Sequence, residues 1–568
     1  MRSAESHVLL HFTLLTVVAL VTTAQGAPYT ITTQTGEVVG HASPTYEGVV
    51  EWQGIPYGSP PTTELRFTPP IPPAAWSTPL VANASGPGCP YLVGPLMKGV
   101  EDCLSLDVYV PASALEPNAS PKQVMVFIHG GGAVIGNDIS DGKKGQKGLY
   151  DGSRFAAKHD VIVVAMDYRL SVLGFLALDE LKAENPFGST GNYGLQDQQL
   201  ALKWVSQNIA AFGGDPSSVL LFGESAGAFS ICWHLVSPAS KGLFTAVLLE
   251  SGNCDSPAFF RQYDRATNFS RGYAAHVGCD PASLSGTKLL DCLRALPLEK
   301  IIDGGVLDAA RSPLGKYPPN VFWPKLAPIM PWGFAIDGSS IGLTGVPAQL
   351  IAQGKGHPVP VLMGTNGQEG ALFIPMMPVI VPGTLIPLDH HAAEHMLLHF
   401  FNQTVYQDVM EVYPPSKFKD YDALAVTVLT DYFFVCSTRR LLRAVAAANP
   451  SLPRYEYRFV YPIRSPLGEI MGDYHSVELG FVFGMKTVAD TFKHPDDWVM
   501  SDTIQHYWTN FARTHNPSSP RNTTYQQWPL YANGTEHSLA LDVPTYTITD
   551  LGQTSNCDFW DQAHMNYD

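Results

Sequence analysis

The 568-residue chain is poor in charge, and especially in positive charge. Only 15% of its residues are charged, and 35 lysines and arginines stand against 51 aspartates and glutamates, which gives a formal net charge of −16. Proteins that bind nucleic acid or other polyanions need clustered basic side chains. The segment SDGKKGQKG (140–148) is a local basic run that we interpret as a solvated surface loop. The composition therefore argues against a nucleic-acid partner.

Beyond the N-terminal segment, the chain has no apolar stretch of the roughly 20 residues that span a bilayer. The N-terminus carries Arg2, an apolar run from Val8 to about Val21, and the small residues Ala24 and Gly26. This pattern is typical of a secretory signal cut after Gly26, and the run is short for the alternative, an uncleaved anchor. The C-terminal stretch DFWDQAHMNYD has neither a GPI tail nor an ER-retention tetrapeptide. We expect an exported protein without a stable membrane anchor, either extracellular or in a lysosomal or vacuolar lumen.

The sequence shows neither internal repeats nor low-complexity linkers that would divide it. Hydrophobic residues make up 45% of the chain, which is ample material for a large core. Length alone allows one oversized domain or two ordinary ones. We predict a signal peptide at residues 1–26 and a single domain at residues 27–568, and the oligomeric state stays open.

Export makes the eight cysteines candidates for disulfides rather than metal ligands. Their spacing marks two compact pairs and two further cysteines that lie far apart with no close neighbours. For Cys232 and Cys254 the sequence leaves the pairing open. The six cysteines that we expect in disulfides are Cys89, Cys103, Cys279, Cys292, Cys436 and Cys557.

Six N-x-[ST] sequons suit the glycosylated surface of an exported protein, although any one sequon can stay unused. The six acceptor residues are Asn83, Asn118, Asn268, Asn402, Asn522 and Asn533.

Short apolar runs alternate with helical segments through most of the chain. The runs include LSLDVYV, VMVFIHGGG, VIVVAMDYRL, VLLFGES, AVLLESG and PVLMGTN, and LQDQQLALKWVSQNIAAF is typical of the helices. This alternation predicts an α/β fold with a mostly parallel central sheet covered by helices on both faces. Chemistry in such folds gathers in the loops at the carboxyl ends of the strands.

The stretch VLLFGESAGAFS (219–230) places Ser225 between a buried strand and a helix. The small residues Gly223 and Gly227 permit a tight turn that exposes the serine hydroxyl, and the helix N-terminus adds positive potential for an oxyanion. G-x-S-x-G alone is a weak signal in a chain with 50 glycines. Its position after a strand favours the interpretation of Ser225 as a nucleophile.

A serine nucleophile also needs donors for the oxyanion, and a run of glycines offers them. His129 and three glycines close the strand VMVFI, and consecutive glycines leave backbone N–H groups free to face a carbonyl oxygen. The alternative of a dinucleotide-binding loop is disfavoured because GNDISDGKKG, which follows, has no helical pattern.

These motifs resemble, in order along the chain, those of the type B carboxylesterase and cholinesterase family of α/β-hydrolases. The resemblance extends from GIPYGSPP and Arg66-Phe67 through EDCLSLDVYVP, HGGG, DYRL, NYGLQDQ, FGGDP and GESAG to CDFWDQ. It implies the α/β-hydrolase fold, with large loop and helix insertions that form a gorge. Asp167 in DYRL departs from the family, which usually has Asn there.

The resemblance implies a catalytic triad in the chain order that the fold requires. Ser225 matches the nucleophile, Glu369 in GTNGQEGALF the acid, and His475 in GDYHSVELGFVFG the base. His475 would deprotonate Ser225 during attack on an ester carbonyl and then protonate the leaving alcohol, and water would release the acyl group by the same route. The resemblance implies neither a metal nor an organic cofactor.

Five further residues resemble family positions around the triad. Glu224 and Glu478 are similar to acids that support the triad. Ser251 lies at another strand end and can join their network. A purely structural role of these three residues, as buried hydrogen-bonded groups, is equally compatible with the sequence. We assign none of these three a catalytic role. The matches to the oxyanion-hole donors are Gly131, Gly132 and Ala226.

Two other classes of function compete with the esterase. His391, Glu394 and His395 spell H-x-x-E-H, a zinc-hydrolase pattern, and with His399 the histidines recur every four residues, as on one face of a helix. We favour a polar helix face, because no further acidic ligand is evident downstream. Some members of the family lack the triad and act as adhesion or binding proteins, but here every triad position is filled.

The loop from Cys89 to Cys103 bears on the substrate. In the cholinesterase branch this loop presents a Trp that holds the quaternary ammonium by cation–π attraction. Here Tyr91 is its sole aromatic residue, and Leu372 replaces a second aromatic of that branch. The resemblance therefore implies an esterase that is not selective for choline.

The acyl side of the site is predicted by the alignment of AIDG (335–338). It places Pro328 and Met330 near the paired Phe positions of acetyl-selective relatives. Smaller or flexible residues there would admit longer acyl groups. We expect a carboxylic ester hydrolase whose substrate is a small-molecule or lipid ester, and the natural ester stays open.

Overall fold

The structure is a computed structural model that describes residues 29–93, 96–137, 150–302, 325–326, 330–485, 492–518, 524–532 and 534–564. Several predictions fall outside these residues. They concern the signal peptide, the basic run at 140–148, Pro328, and the sequons at Asn522 and Asn533.

The strands of the described residues are β1 (Tyr29–Thr32), β2 (Glu37–Ala42), β3 (Val49–Pro56), β4 (Leu80–Val81), β5 (Tyr91–Val93), β6 (Leu96–Lys98), β7 (Ser105–Pro111), β8 (Lys122–Ile128), β9 (Ile162–Met166), β10 (Gly214–Glu224), β11 (Ala246–Glu250), β12 (Phe260–Gln262), β13 (Phe334–Ile336), β14 (Val361–Asn366), β15 (Arg454–Phe459), β16 (Ser538–Leu541) and β17 (Tyr546–Ile548).

The helices of the same residues are α1 (Ser153–His159), α2 (Ser171–Phe175), α3 (Asp179–Glu184), α4 (Tyr193–Asn208), α5 (Ala226–Val236), α6 (Tyr263–His276), α7 (Thr287–Arg294), α8 (Pro347–Ala352), α9 (Met377–Ile380), α10 (His390–Phe400), α11 (Gln403–Val412), α12 (Tyr421–Thr430), α13 (Cys436–Ala448), α14 (Pro466–Met471), α15 (Leu479–Val482), α16 (Pro495–Thr514), α17 (Leu551–Thr554) and α18 (Cys557–His564). A π-helix at Asp431–Val435 joins α12 to α13.

One large sheet organises the described part of the chain. Its thirteen strands follow the order β1-β2-β3-β7-β9-β8-β10-β11-β14-β15-β16-β17, with β4 beside β2. The run from β9 to β16 is parallel, and antiparallel pairs lie at both ends of the sheet. The predicted α/β fold with a mostly parallel sheet is confirmed.

The alternation of side chains along β8 shows how both faces of the sheet are covered. Val126 and Ile128 belong to a core cluster that includes residues of α4 and α5. Phe127, between them, belongs to a second cluster that includes Phe155 of α1 and Trp508 of α16. Because successive strand residues point to opposite faces, a strand buried on both sides reads as a continuous apolar run.

All eight cysteines lie in the described residues and all are paired. The three predicted pairs are present, and Cys232 also pairs with Cys254, which the spacing alone left open. The disulfides are Cys89–Cys103, Cys232–Cys254, Cys279–Cys292 and Cys436–Cys557.

The loop between Cys89 and Cys103 is also held by an ion pair. Arg66 donates from Nε and Nη2 to the two carboxylate oxygens of Glu101, each at 2.6 Å. Its Nη1 donates to the carbonyls of Arg294 and Leu296 at 2.8 and 2.6 Å. A bidentate pair fixes orientation as well as distance. The hairpin β5–β6 in this loop is thus fastened to the body of the protein.

Two observations on the described residues concern membranes and glycosylation. No helix among them combines the length and the apolar character needed to cross a bilayer. The four described sequon residues, Asn83, Asn118, Asn268 and Asn402, are all exposed.

Asp167, the position that departs from the family, lies next to a second buried carboxyl. Its N–H donates to the carbonyl of Ser105 at 3.1 Å, which places it diagonally from Asp107 across β7 and β9. Asp107 accepts hydrogen bonds from the Gly54 N–H at 2.7 Å and the Ser85 hydroxyl at 2.6 Å. Burial nevertheless raises the pKa of Asp107 to about 7, and the charge of Asp167 adds to this effect.

The buried carboxyl groups of Asp107 and Asp167 should make the free energy of unfolding fall as the pH rises. A carboxyl whose pKa is higher in the folded than in the unfolded protein stabilises the fold fully below its unfolded pKa, 3.8, and loses that contribution as the pH passes about 7. Asp167→Asn removes the like charge, so we expect its Tm to exceed that of the wild type at pH 8. The gain should correspond to about 1 kcal/mol and should shrink at pH 5.

Thermal unfolding monitored by circular dichroism at both pH values tests this expectation. Asp408→Asn, which neutralises an exposed carboxyl on α11, is the control for net charge. A Tm of Asp167→Asn at pH 8 equal to or below that of the wild type would show that the two carboxyls do not repel each other.

Candidate active site

Ser225 stands at the turn between β10 and α5 with an unusual backbone. Its φ of +51° and ψ of −118° lie in a region that residues with a Cβ rarely adopt. The Ser225 N–H donates to the carbonyl of Glu250 in the neighbouring strand at 2.9 Å. The sheet therefore holds the turn from the side, and the hydroxyl projects at the carboxyl ends of the strands.

The two glycines around Ser225 are required by close packing against β8. A Cβ on Gly227 would lie 2.0 Å from the carbonyl oxygen of Ile128, and one on Gly223 would lie 2.7 Å from the same atom. Real Cβ atoms do not approach this closely. The pattern G-x-S-x-G thus reflects a helix that starts directly against the backbone of the neighbouring strand.

His475 connects Ser225 to Glu369. The Nε2 of His475 lies 2.9 Å from the Ser225 hydroxyl oxygen, and its Nδ1 lies 2.7 Å from a carboxylate oxygen of Glu369. The other oxygen of Glu369 accepts the N–H of Asn366 at 2.7 Å. The three residues, far apart in sequence, form one hydrogen-bonded chain that is almost entirely buried.

Neighbouring parallel strands bring these side chains together. Glu369 opens a short 3₁₀-helix directly after β14, and His475 lies in the loop system after β15. The two segments are joined by the Gln368 N–H, which donates to the carbonyl of Asp473 at 3.1 Å. Ser225, Glu369 and His475 all lie beyond the carboxyl ends of parallel strands, where ligand sites of α/β sheets occur.

Burial and charge act on His475 in opposite directions. Burial alone would lower its pKa, but the carboxylates of Glu224 and Glu369 outweigh burial and raise the pKa above its usual value. One oxygen of Glu224 lies 3.3 Å from His475 Nε2. Glu224 also accepts a hydrogen bond from the Ser476 hydroxyl. Burial raises the pKa of Glu224 itself to about 7.

Glu224 and Glu478 belong to one buried network of carboxyl groups. Asn366 donates its side-chain amide to Glu478, and burial followed by the charge of Glu224 raises the pKa of Glu478 well above its usual value. Ser251 follows β11 with a positive φ, and its N–H donates to the carbonyl of Gly364. Its hydroxyl is buried without a hydrogen-bond partner among the described residues. Ser251 therefore forms its hydrogen bond here through its backbone N–H rather than through its hydroxyl.

The sequence analysis missed Glu250, a further acid of this network. Glu250 is the register partner of Glu224 in the parallel pair β10–β11, and it accepts the indole N–H of Trp508. Burial raises its pKa to about 8. A glutamate in LLESGN at the end of a buried strand, like the one in FGESAG, was the signal that could have revealed it.

The glycines after His129 line the space in front of Ser225. Gly131 and Gly132 have φ values of +98° and +64°, which turn this loop back on itself. The carbonyl of Gly130 lies 2.9 Å from Nδ1 of the buried His129 ring. A Cβ on Gly132 would lie 2.7 Å from Cγ and Sδ of Met330, so that side chain packs directly on the glycine.

A cavity of about 590 Å³ opens in front of Ser225 and His475. Its wall is largely apolar, and among the described residues that line it there is no Lys, Arg or Asp. Tyr91 and Leu92 of the Cys89–Cys103 loop reach this wall, as does Leu372. Such a space suits an uncharged, apolar ligand that is recognised mainly by shape.

Two phenylalanines that the sequence analysis missed pack on the imidazole. The rings of Phe373 and Phe434 lie 5.4 and 5.1 Å from that of His475. Phe434 belongs to the π-helix, a geometry frequent at functional sites. The carbonyls of Phe433 and Phe434 accept the Ser437 hydroxyl, and Asn253 also donates to Phe433 at 2.7 Å. Two carbonyls of the π-helix thus accept side-chain hydrogen bonds.

The competing H-x-x-E-H motif lies on α10, as predicted, but its histidines do not converge. Among the described residues the group with metal-ligand spacing is His390, His391 and Glu394, of which both histidines are exposed. His395 Nε2 instead lies 3.2 Å from the carbonyl of Pro382. His399 Nε2 lies 2.7 Å from the carbonyl of Lys325. Among the described residues, the three imidazoles of the alternative zinc site, at His391, His395 and His399, are therefore not grouped as metal ligands.

The chain is similar to known esterases over almost its whole length. The model of the carboxylesterase family matches residues 27–560. Para-nitrobenzyl esterase of Bacillus subtilis (strain 168) is 33% identical over 527 residues, which is 90% of this chain and 94% of that relative. A solved PNB esterase has a TM-score of 0.74 and 31% identity, covering 94% of this chain and 100% of its own. A thermophilic PNB esterase has a TM-score of 0.75 and 30% identity with the same coverage.

Proposed function

The chain belongs to the carboxylesterase family and is a carboxylic ester hydrolase, and we propose that it works through an acyl-enzyme on Ser225. The family expected from the ordered motifs is thereby confirmed. The observation that carries the proposed mechanism is the hydrogen-bonded chain in which His475 contacts both Ser225 and Glu369. Nucleophile, base and orienting acid are the groups that a serine needs to attack an ester.

In the first half of the reaction Ser225 attacks the ester carbonyl. Nε2 of His475 accepts the hydroxyl proton, and Glu369 holds the ring and stabilises the imidazolium through Nδ1–H. The backbone N–H groups of Gly131, Gly132 and Ala226 receive the oxyanion, since the two glycines line the cavity and Ala226 begins α5. His475 then gives its proton to the leaving alcohol as the carbon–oxygen bond breaks.

In the second half water takes the place of the alcohol. His475 removes a proton from the water, which attacks the acyl carbonyl, and the imidazolium returns the proton to Ser225 as the acid leaves. The leaving oxygen must lie near Nε2 of His475. The alcohol therefore occupies the side formed by Phe373 and Phe434, and the acyl group the side of Gly132 and Met330. Because a Met side chain adapts its shape readily, Met330 on the acyl side favours the expectation that longer acyl groups fit.

We further propose that the enzyme is not selective for choline esters. The described lining of the cavity contains no tryptophan, and Tyr91 and Leu372 hold the positions at which the cholinesterase branch has aromatic ligands for the cation. Phe373 and Phe434 each turn toward His475. The described lining thus lacks the tryptophan that holds the quaternary ammonium in the cholinesterase branch, and Leu372 offers no aromatic face in place of the second ligand.

We propose that residues 27–568 form one domain, exported after loss of residues 1–26 and glycosylated. Four disulfides support an oxidising compartment, because thiols stay reduced in the cytosol. The four exposed sequons of the described chain are accessible to glycosylation.

Covalent labelling tests the role of Ser225. A fluorophosphonate should label the wild type, whereas Ser225→Ala should take up no label and lose at least about 10⁴-fold in kcat on p-nitrophenyl acetate. Ser256→Ala, which alters another serine of the same cavity, is the control and should be labelled normally. Activity that survives the fluorophosphonate but is abolished by a chelator would contradict the serine mechanism and favour a metal.

The pH dependence tests the electrostatics of His475. Because the base must be neutral and its pKa is raised, kcat/KM on p-nitrophenyl acetate should fall on the acidic side with a midpoint above 6.5. Glu224→Gln removes a carboxylate that favours the imidazolium, so this midpoint should move to lower pH. Glu411→Gln, at an exposed site, is the control. A midpoint that stays in place or rises in Glu224→Gln would refute this account.

Choline selectivity is tested with a pair of thioesters of equal shape. Acetylthiocholine and its uncharged isostere, S-(3,3-dimethylbutyl) thioacetate, should have kcat/KM values within about tenfold of each other, because a strong cation–π contact is worth more than that. The measurement belongs at high ionic strength, where the net charge of −16 no longer attracts the cation. A larger preference for the cation would show that the cavity does bind choline.

A further inference from the structure

Arg261 is a buried arginine without a carboxylate partner among the described residues. It lies on β12 and is 4% exposed. All of its hydrogen bonds go to backbone carbonyls. Nη1 donates to Pro331 at 2.5 Å, Nε and Nη2 donate to Ala258 at 3.2 Å, and Nη2 also reaches Met330 at 3.4 Å. Burial lowers the pKa of Arg261 to about 9.

A guanidinium in this setting needs a structural reason. Taking a charge out of water is costly unless hydrogen bonds replace the lost hydration. The planar fork of Arg261 provides donors in several directions at once, and it uses them on two chain segments that face each other. Gly333 leaves room for the fork, because a Cβ there would lie 2.8 Å from Arg261 Nε.

The two segments form one unit around the fork. Strand β12 pairs in parallel with β13, with Phe260 opposite Phe334. The Phe334 N–H donates to the carbonyl of Phe259 at 2.7 Å. The carbonyls bound by Arg261 lie just before these strands, at Ala258 and at Met330 and Pro331. Arg261 thus extends the pairing of the strands into their preceding loops.

Those loops form part of the cavity wall. Ala258, Phe259 and Met330 all line the cavity. Met330 packs on Gly132. Phe259 stacks on Phe229 with ring centroids 3.9 Å apart, and Phe229 lies one helical turn after Ser225. The wall fixed by Arg261 is therefore the one next to Gly132, and it contains neither of the phenylalanines that pack on His475.

We propose that Arg261 is a positioning residue that sets the length of acyl chain the enzyme accepts. This inference rests on the proposed function, in which the acyl group lies between Gly132 and Met330. The fork holds the backbone of Ala258 and of Met330 at a fixed separation and so limits the depth of the acyl side for unbranched, uncharged acyl groups. Without the guanidinium, the three backbone carbonyls that it binds lose their donor. Water then replaces the guanidinium, and the wall moves outward.

Arg261→Met tests the inference, because it keeps the length of the side chain and removes the fork. The readout is kcat/KM on p-nitrophenyl esters from acetate to decanoate, with Tm measured alongside. The ratio of kcat/KM for decanoate to that for acetate should rise at least about tenfold, in the range that a change in pocket size produces. Arg261→Lys should raise the ratio as well, since a single ammonium cannot span both segments.

Arg271→Met is the matched control. It alters a more exposed arginine on α6 that pairs with Asp179 and Glu180, and the ratio should stay at the wild-type value. A purely structural role for Arg261 would lower Tm and reduce all esters equally. An unchanged or lower ratio in Arg261→Met, or a wild-type profile in Arg261→Lys, overturns the inference.

A second variant covers the case in which the arginine variants fail to fold. Met330→Ala removes the side chain at the other end of the same wall and should also raise the ratio, and an unchanged profile overturns the assignment of this wall. Failure of the proposed function has a different signature. In that case the wild type itself would resist the fluorophosphonate, whereas failure of the inference leaves labelling and hydrolysis intact.

Discussion

The contact of His475 with Ser225 on one side and Glu369 on the other is the constraint on which the rest of the structure depends. An imidazole can be shared in this way only if two loops and a helix start meet at one point. Parallel strands β10, β14 and β15 provide that meeting point, because their carboxyl ends lie at the same edge of the sheet. The sheet thus holds the catalytic groups in place before the substrate binds, so they do not have to be ordered at each turnover.

Burial of the site shapes its electrostatics as much as its geometry. Glu224, Glu250 and Glu478 lie in one region with raised pKa values, because burial disfavours their charged forms and each carboxylate disfavours ionisation of the others. Ser476, Trp508 and Asn366 each donate a hydrogen bond to one oxygen of these acids, and the second oxygens of Glu250 and Glu478 are buried without a partner among the described residues. The imidazole therefore faces acids whose charge depends on pH, and its own affinity for a proton follows theirs.

The sequence predicted local geometry well and long-range contacts only through resemblance. The turn at Ser225 followed from glycines after an apolar strand, because the packing against Ile128 leaves no room for a Cβ. Glu369 and His475 have no comparable local signal. Glu250 and Trp508 meet across 258 residues of sequence, which no spacing rule reveals. The histidines of α10 do lie on a helix, as their spacing predicted. His395 and His399, however, each contact a backbone carbonyl outside the helix, and these tertiary contacts decide where the imidazoles point.

Two arginines show how a largely apolar cavity can keep its shape with no Lys or Arg among the described residues of its wall. Arg66 pairs with Glu101 and fastens the loop that presents Tyr91 and Leu92, while Arg261 binds carbonyls behind Met330. Each guanidinium lies behind the wall rather than in it. Substrates consequently meet an apolar surface and are selected by shape, whereas the charges that orient the backbone stay out of contact. Polar positioning and apolar recognition are separated by one layer of residues, so a change in an arginine behind the wall acts on the substrate only by moving the wall.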